Sequence, residues 1–70
     1  MRVSEIKAGD YVRITVGPQR SIYSGKVSAV TECTLGGRFI RFTDWDYVVH
    51  FDPYCSVTRL SPLEILAVEA

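Results

Sequence analysis

Seventy residues are enough for one domain and exclude a catalytic domain joined to a regulatory one. Hydrophobic residues make up 47% and charged residues 23%, which excludes a disordered or collagenous chain. Eight basic residues balance eight acidic ones, so no whole-protein basic field exists for gripping nucleic acid.

In chain order, Val3-Ser4-Glu5-Ile6 predicts one helical turn with Val3 and Ile6 on the same side. Ala8-Gly9-Asp10 is a turn: glycine supplies unusual backbone angles and aspartate bonds neighbouring amides. Tyr11-Val12-Arg13-Ile14-Thr15-Val16 alternates polar and apolar, predicting a half-buried strand with Val12, Ile14 and Val16 inward. Gly17-Pro18-Gln19-Arg20-Ser21 breaks it as a loop. A second strand is expected over residues 22–31. Its alternation slips: Val27 and Ala29 share one face and Val30 falls on the other, the mark of a β-bulge or of a strand serving two sheets. Gly25 within it suits a tight bend.

Gly36-Gly37, between Cys33-Thr34-Leu35 and Arg38-Phe39-Ile40-Arg41-Phe42, predicts a two-residue glycine hairpin. Thr43-Asp44-Trp45-Asp46 reads as a turn. A strand follows over residues 47–51, stopped by Asp52-Pro53, and Tyr54-Cys55-Ser56 extends the loop. The tail reads two ways. Ser61-Pro62-Leu63-Glu64 is a capping box with proline at the first helical position. Leu63, Ile65 and Ala67 also alternate with Glu64, Leu66 and Val68. Residues 62–68 are expected as a last strand, because a seven-residue helix is marginal by itself. Five or six short strands with closely spaced turns predict a small all-β barrel or sandwich, in which closure removes sticky edges.

The run Ile6-Lys7-Ala8-Gly9-Asp10-Tyr11-Val12-Arg13-Ile14, followed by Tyr23-Ser24-Gly25-Lys26-Val27-Ser28-Ala29-Val30, resembles the opening of SH3-like barrels. In that family a Gly-Asp-x-Val turn leads into strand one, and a Gly-x-Val-x-x-Val strand carries the bend. KOW and Tudor-type domains and many small bacterial and bacteriophage proteins look like this. The likeness covers about residues 3–31. It implies one small five- to six-stranded SH3-like barrel over residues 1–70, with short helical turns at its ends. It also implies a small accessory protein, without fixing its partner, because this fold serves many.

A chain this short buries roughly 60% of its unfolded surface, so a disulfide, a metal or a partner subunit would help it. Cys33 and Cys55 form neither a disulfide framework nor a zinc motif and are expected as free, mostly buried thiols. Met1-Arg2-Val3-Ser4-Glu5 has no apolar leader pattern and no stretch suits a spanning helix. The expected location is the cytoplasm, or a host cytoplasm for a viral protein, with no membrane contact. Charge is uneven along the chain. Residues 1–42 carry Arg2, Lys7, Arg13, Arg20, Lys26, Arg38 and Arg41 against Glu5, Asp10 and Glu32, a net of +4. Residues 43–70 carry Arg59 against Asp44, Asp46, Asp52, Glu64 and Glu69, a net of −4. If the dipole survives folding, it favours protein partners or self-association.

No catalytic set stands out, and a non-enzymatic protein is expected, with no cofactor. Cys33, His50 and Asp52 can be assembled on paper, but in so small a chain chance nearness explains them. Asp44, Asp46 and Asp52 lack the glycine-centred calcium-loop pattern, so no metal is expected. The aromatics carry more. Phe39, Phe42, Trp45, Tyr47, Phe51 and Tyr54 crowd into residues 39–54, more than a small core holds. A protein-binding groove is expected around Trp45, Tyr47 and Tyr54, rimmed by Asp44, Asp46 and Asp52. It suits a basic or proline-containing peptide. The competing reading makes Trp45 a cap on one barrel end. The alternative function is nucleic-acid binding through Tyr11, Arg13, Arg20, Lys26 and Arg41, where aromatics stack bases and cations hold phosphates. A third is a homo-oligomeric structural protein whose apolar surface is the subunit interface.

Overall fold

A computed structural model describes all 70 residues. Its elements are a 3-10 turn at Val3–Glu5, strands β1 (Tyr11–Val16), β2 (Ser21–Glu32), β3 (Arg38–Phe42), β4 (Val49–Phe51) and β5 (Ser56–Arg59), and helix α1 (Pro62–Glu69). The strands form one antiparallel sheet in the order β4-β3-β2-β1-β5. The molecule is a small all-β domain with short helical pieces at each end.

The long strand β2 makes this sheet a container. Its first half pairs with β1, from Val16↔Ser21 to Tyr11↔Lys26. Its second half pairs with β3, from Val27↔Phe42 to Glu32↔Arg38. The hand-over falls at Lys26 and Val27, and the register shifts between Val27 and Ala29, the bulge that the slipped alternation predicts. Gly25, at φ +148°, lies just before it. A Cβ there would meet the Phe42 ring at 3.4 Å, so the bend is packed from inside. Beyond the bulge Val30 turns inward against the core and Ala29 points out.

Folding one leaf over the other buries Val3, Ile6, Val12, Ile14, Val27, Ile40, Phe42, Phe51 and Val57 in a single cluster. Each such side chain contributes about 1.5–3 kcal/mol of transfer free energy. The N-terminal turn puts Val3 and Ile6 together in that core, as their spacing predicts. The Gly9-Asp10 turn behaves as read: Gly9 sits at φ +97° and the Asp10 carboxylate accepts the Lys7 amide at 2.9 Å. On β3, Ile40 and Phe42 face in and Arg38 shares their side. Its guanidinium closes the end of the core, donating to the Ile6 carbonyl at 2.6 Å and pairing with Glu32.

Four expectations are corrected. Residues 62–68 form a helix rather than a last strand. Ser61 and Glu64 cap it reciprocally, Glu64 N–H donating to Ser61 Oγ at 3.3 Å and Ser61 N–H to Glu64 Oε1 at 3.0 Å. Pro62 has no N–H to give a ladder, yet fits the first helical position. The fifth strand is instead Ser56–Arg59, which starts at the last residue of the expected loop, pairs with β1 and buries Val57. The sheet is open: β4 and β5 are edges, of only three and four residues, and shortness limits their stickiness. The strand expected over 47–51 begins only at Val49, leaving Tyr47 and Val48 outside the ladder. Finally, the hairpin turns at Thr34-Leu35, with Gly36 N–H donating to the Cys33 carbonyl at 3.1 Å. Gly36 and Gly37 form its return limb at φ +98° and +75°.

Those two glycines separate conformation from space. A Cβ at Gly36 meets nothing within 4 Å, whereas one at Gly37 would strike the Phe51 carbonyl oxygen and come within 2.9 Å of His50 Nε2. Gly36→Ala is expected to cost about 1 kcal/mol, the left-handed penalty alone. Gly37→Ala is expected to cost more than about 3 kcal/mol, because β4 must move away from β3. Urea unfolding of the two variants checks this, and equal costs would contradict it.

Candidate functional site

Trp45 lies where β3 has left the sheet and β2 has not yet handed over. Thr43 anchors the exit, its N–H and its hydroxyl both donating to the Lys26 carbonyl at 2.8 and 3.0 Å. Trp45 N–H then donates to the Phe42 carbonyl at 3.0 Å, and Arg41 Nε donates to the Trp45 carbonyl at 2.7 Å. With its backbone pinned on both sides, the indole has a set position.

The ring meets Phe42 edge to face at 4.7 Å and Tyr23 at 5.6 Å, and Tyr23 in turn meets Phe51 at 5.3 Å. Trp45 is thus tied to the buried core, which suits the cap reading. Tyr47 stacks on it from outside at 4.9 Å and 12° between planes, and stays 54% exposed. Asp44 and Asp46 flank Trp45 in the chain, both exposed. A cleft of about 310 Å³ runs beside it, with Phe42, Trp45 and Asp44 on one side and Val68 and Glu69 of α1 on another.

Of the six expected groove residues, Trp45 and Tyr47 stack on each other and Asp44 lines the cleft beside Trp45, whereas Asp46 is an exposed chain neighbour of both rings and does not line it. Tyr54 and Asp52 do not join them. Tyr54 is 93% exposed and touches no other ring. With Asp52 it lines a separate groove of about 490 Å³ beside Arg20 and Thr15. Asp52 Oδ1 accepts the Tyr54 amide at 3.1 Å, which shapes that loop. The sequence reading missed Tyr23, which carries the aromatic chain from Trp45 to Phe51. Counting back by twos from inward Val27 through Gly25 would have found it.

Of the five residues of the nucleic-acid alternative, Tyr11, Arg13 and Lys26 share the outer face of β1 and β2, and Arg20 and Arg41 lie apart from them. Tyr11 and Lys26 are cross-strand partners, with the Lys26 ammonium 5.7 Å from the Tyr11 ring centre. Arg13, on the same outer face, forms an ion pair with Glu64 of α1. Arg41 is engaged by the Trp45 carbonyl on the other leaf, and Arg20 stands in the β1–β2 turn at φ +53°.

Cys33 and Cys55 are free and half-buried. His50 Nε2 donates to the Gly36 carbonyl at 2.8 Å, and its ring lies edge-on to Phe39 at 5.1 Å. A carbonyl only accepts, so Nε2 carries the proton. No three His, Cys, Asp or Glu side chains form a metal-sized cluster. No helix is long and apolar enough to cross a membrane. The chain matches no family model, no curated protein and no solved structure.

Burial raises the Cys55 thiol above its ordinary value of 9.0; the Asp52 charge adds to the rise, and a backbone hydrogen bond at Asp52 opposes it. A nucleophilic cysteine needs the opposite shift. Iodoacetamide at about pH 8 is therefore expected to modify Cys55 more slowly in the folded protein than in urea. A thiol with a raised folded pKa stabilises the fold fully below its unfolded pKa, and the effect fades as pH rises through the folded pKa. The stability difference between wild type and Cys55→Ala should accordingly shrink above about pH 9, read by urea unfolding across pH.

Proposed function

We propose that the protein is a non-enzymatic interaction module with an SH3-like fold, and that it binds another protein through the aromatic surface of Trp45 and Tyr47. The stacked pair carries this reading: one ring is anchored on the core and the other is spread on the surface. Rigid, half-exposed aromatics bury much area at little entropic cost, which is how binding hot spots work. Asp44 and Asp46 at the rim favour a basic or proline-containing segment, since guanidinium groups and pyrrolidine rings both stack on aromatic faces.

The SH3-like assignment rests on the Gly9-Asp10 turn, the meander order and the shared, bent β2. The absence of enzymatic activity is supported by the Cys33, His50 and Asp52 side chains. Two of the three are committed elsewhere, His50 to Gly36 and Asp52 to Tyr54. Of the cations in the nucleic-acid alternative, Arg13 is paired with Glu64, Arg41 Nε is held by the Trp45 carbonyl, and Lys26 lies over Tyr11.

Trp45 is the only tryptophan, so its fluorescence reports directly on the site. Titration with a peptide alternating arginine and proline is expected to shift its emission. Tyr47→Ala should weaken binding by about tenfold or more with the fold retained, because Tyr47 is exposed. Asp44→Asn with Asp46→Asn should weaken it several-fold and remove its modest salt dependence. No shift at millimolar peptide, or a shift indifferent to Tyr47→Ala, overturns the proposal. Binding of a single-stranded oligonucleotide that falls steeply with salt would instead establish the nucleic-acid reading.

A further inference from the structure

The cleft beside Trp45 has a wall that the aromatic pair does not supply. Phe42, Asp44 and Trp45 line it from the end of β3, and the last turn of α1 lines it through Val68 and Glu69. The start of α1 is held at two points. Leu60 N–H, just before the helix, donates to the Tyr11 carbonyl at 3.0 Å, and Glu64 pairs with Arg13 of β1. Ile65 and Val68, three residues apart and so on one side of the helix, are its half-buried apolar residues. The last turn therefore comes to rest beside Trp45, although the two are more than twenty residues apart in the chain.

Charge narrows what the cleft can take. Three charged side chains line it: Asp44, Glu69 and Lys26. The Lys26 ammonium lies over the Tyr11 ring, 5.7 Å from its centre. The chain's two ion pairs are Arg13 with Glu64 and Arg38 with Glu32, so Asp44 and Glu69 are both unpaired, and both are exposed. Glu69 also stands in the last turn of a helix, where the free carbonyl ends already concentrate negative charge. That turn carries no basic residue to offset them. A cation is what this end of α1 lacks.

We infer that this cleft is the pocket for one cationic side chain of the bound segment, and that Glu69 of α1 is a specificity-determining residue there. The inference rests on the protein-binding reading of Trp45 and Tyr47 and says which part of the partner enters where. The cation lies against the exposed part of the Trp45 ring, between Asp44 and Glu69, while Tyr47 meets the rest of the segment from outside. Size fits a single side chain. At about 310 Å³ the cleft stands at the low end of the roughly 300–1,000 Å³ of ligand pockets. Chemistry fits as well, since a guanidinium stacks on an indole face and donates to carboxylates at its edge at the same time. Arg13 acts through Glu64 as a positioning residue, because it holds the helix that carries Glu69.

Two peptides test this, one alternating arginine with proline and one alternating citrulline with proline. Citrulline keeps the planar shape of arginine and loses its charge. Glu69→Gln is expected to weaken the arginine peptide about three- to fivefold, the size of a surface charge contact, and to leave the weaker citrulline peptide unchanged. Glu69 is exposed, so the unfolding midpoint of the variant should match the wild type. Amide NMR of the wild type locates the contact without any substitution: the arginine peptide should shift Val68 and Glu69 together with Trp45 and Tyr47. An arginine peptide that binds through Tyr47 but is indifferent to Glu69→Gln overturns the inference and leaves the Trp45 and Tyr47 reading standing. So does an equal loss for both peptides. Failure of either peptide to bind at millimolar concentration overturns both.

Discussion

The structure depends on one strand doing two jobs. In a chain of seventy residues one sheet folds over itself, and this encloses the core on both sides. β2 makes this happen: it runs twelve residues, pairs first with β1 and then with β3, and changes leaf at Lys26 and Val27. The bend needs an extra residue to relieve the ladder and an inward position without a side chain. The bulge at Val27 to Ala29 and Gly25 supply these. Phe42 then fills the space that Gly25 leaves.

The Trp45 surface follows from the same hand-over. Because β3 stops pairing at Phe42, the first half of β2 has no neighbour on that side, and Tyr23 reaches inward there without a strand to cover it. The chain between β3 and β4 folds back over this gap, held by Thr43 on Lys26, and Trp45 fills it. Capping and exposure are therefore not rivals. The indole closes the core on one edge and presents Tyr47 and two aspartates on the other. At the opposite end Arg38 serves the same purpose with polar chemistry, placing its aliphatic stem beside Ile40 and its guanidinium on Ile6 and Glu32.

Legibility varied with how local the signal was. The N-terminal turn, the Gly9-Asp10 turn, β1 and the bulge could all be read, since each rests on neighbours within a few residues. The tail shows the limit. Its capping box and its alternation were both present, and alternation misled because apolar residues stood on both parities. β5 gave little signal: in Ser56-Val57-Thr58-Arg59 only Val57 is apolar, and what makes it a strand is a free edge on β1. The aromatic cluster was legible as an excess of large rings over core volume. Its division was not, because whether Tyr54 joins Trp45 depends on where two loops far apart in sequence come to rest.

By itself, then, the sequence determined the all-β class, the N-terminal and Gly9-Asp10 turns, the bend and most of the core, since backbone preference and two-residue periodicity act locally. The tertiary structure decided the identity of the fifth strand, the helical tail, the open edges and the separation of Tyr54 from Trp45. Each of these turns on which backbone groups and side chains are left without partners once the sheet has folded over, and that is a property of the assembled sheet, not of any segment.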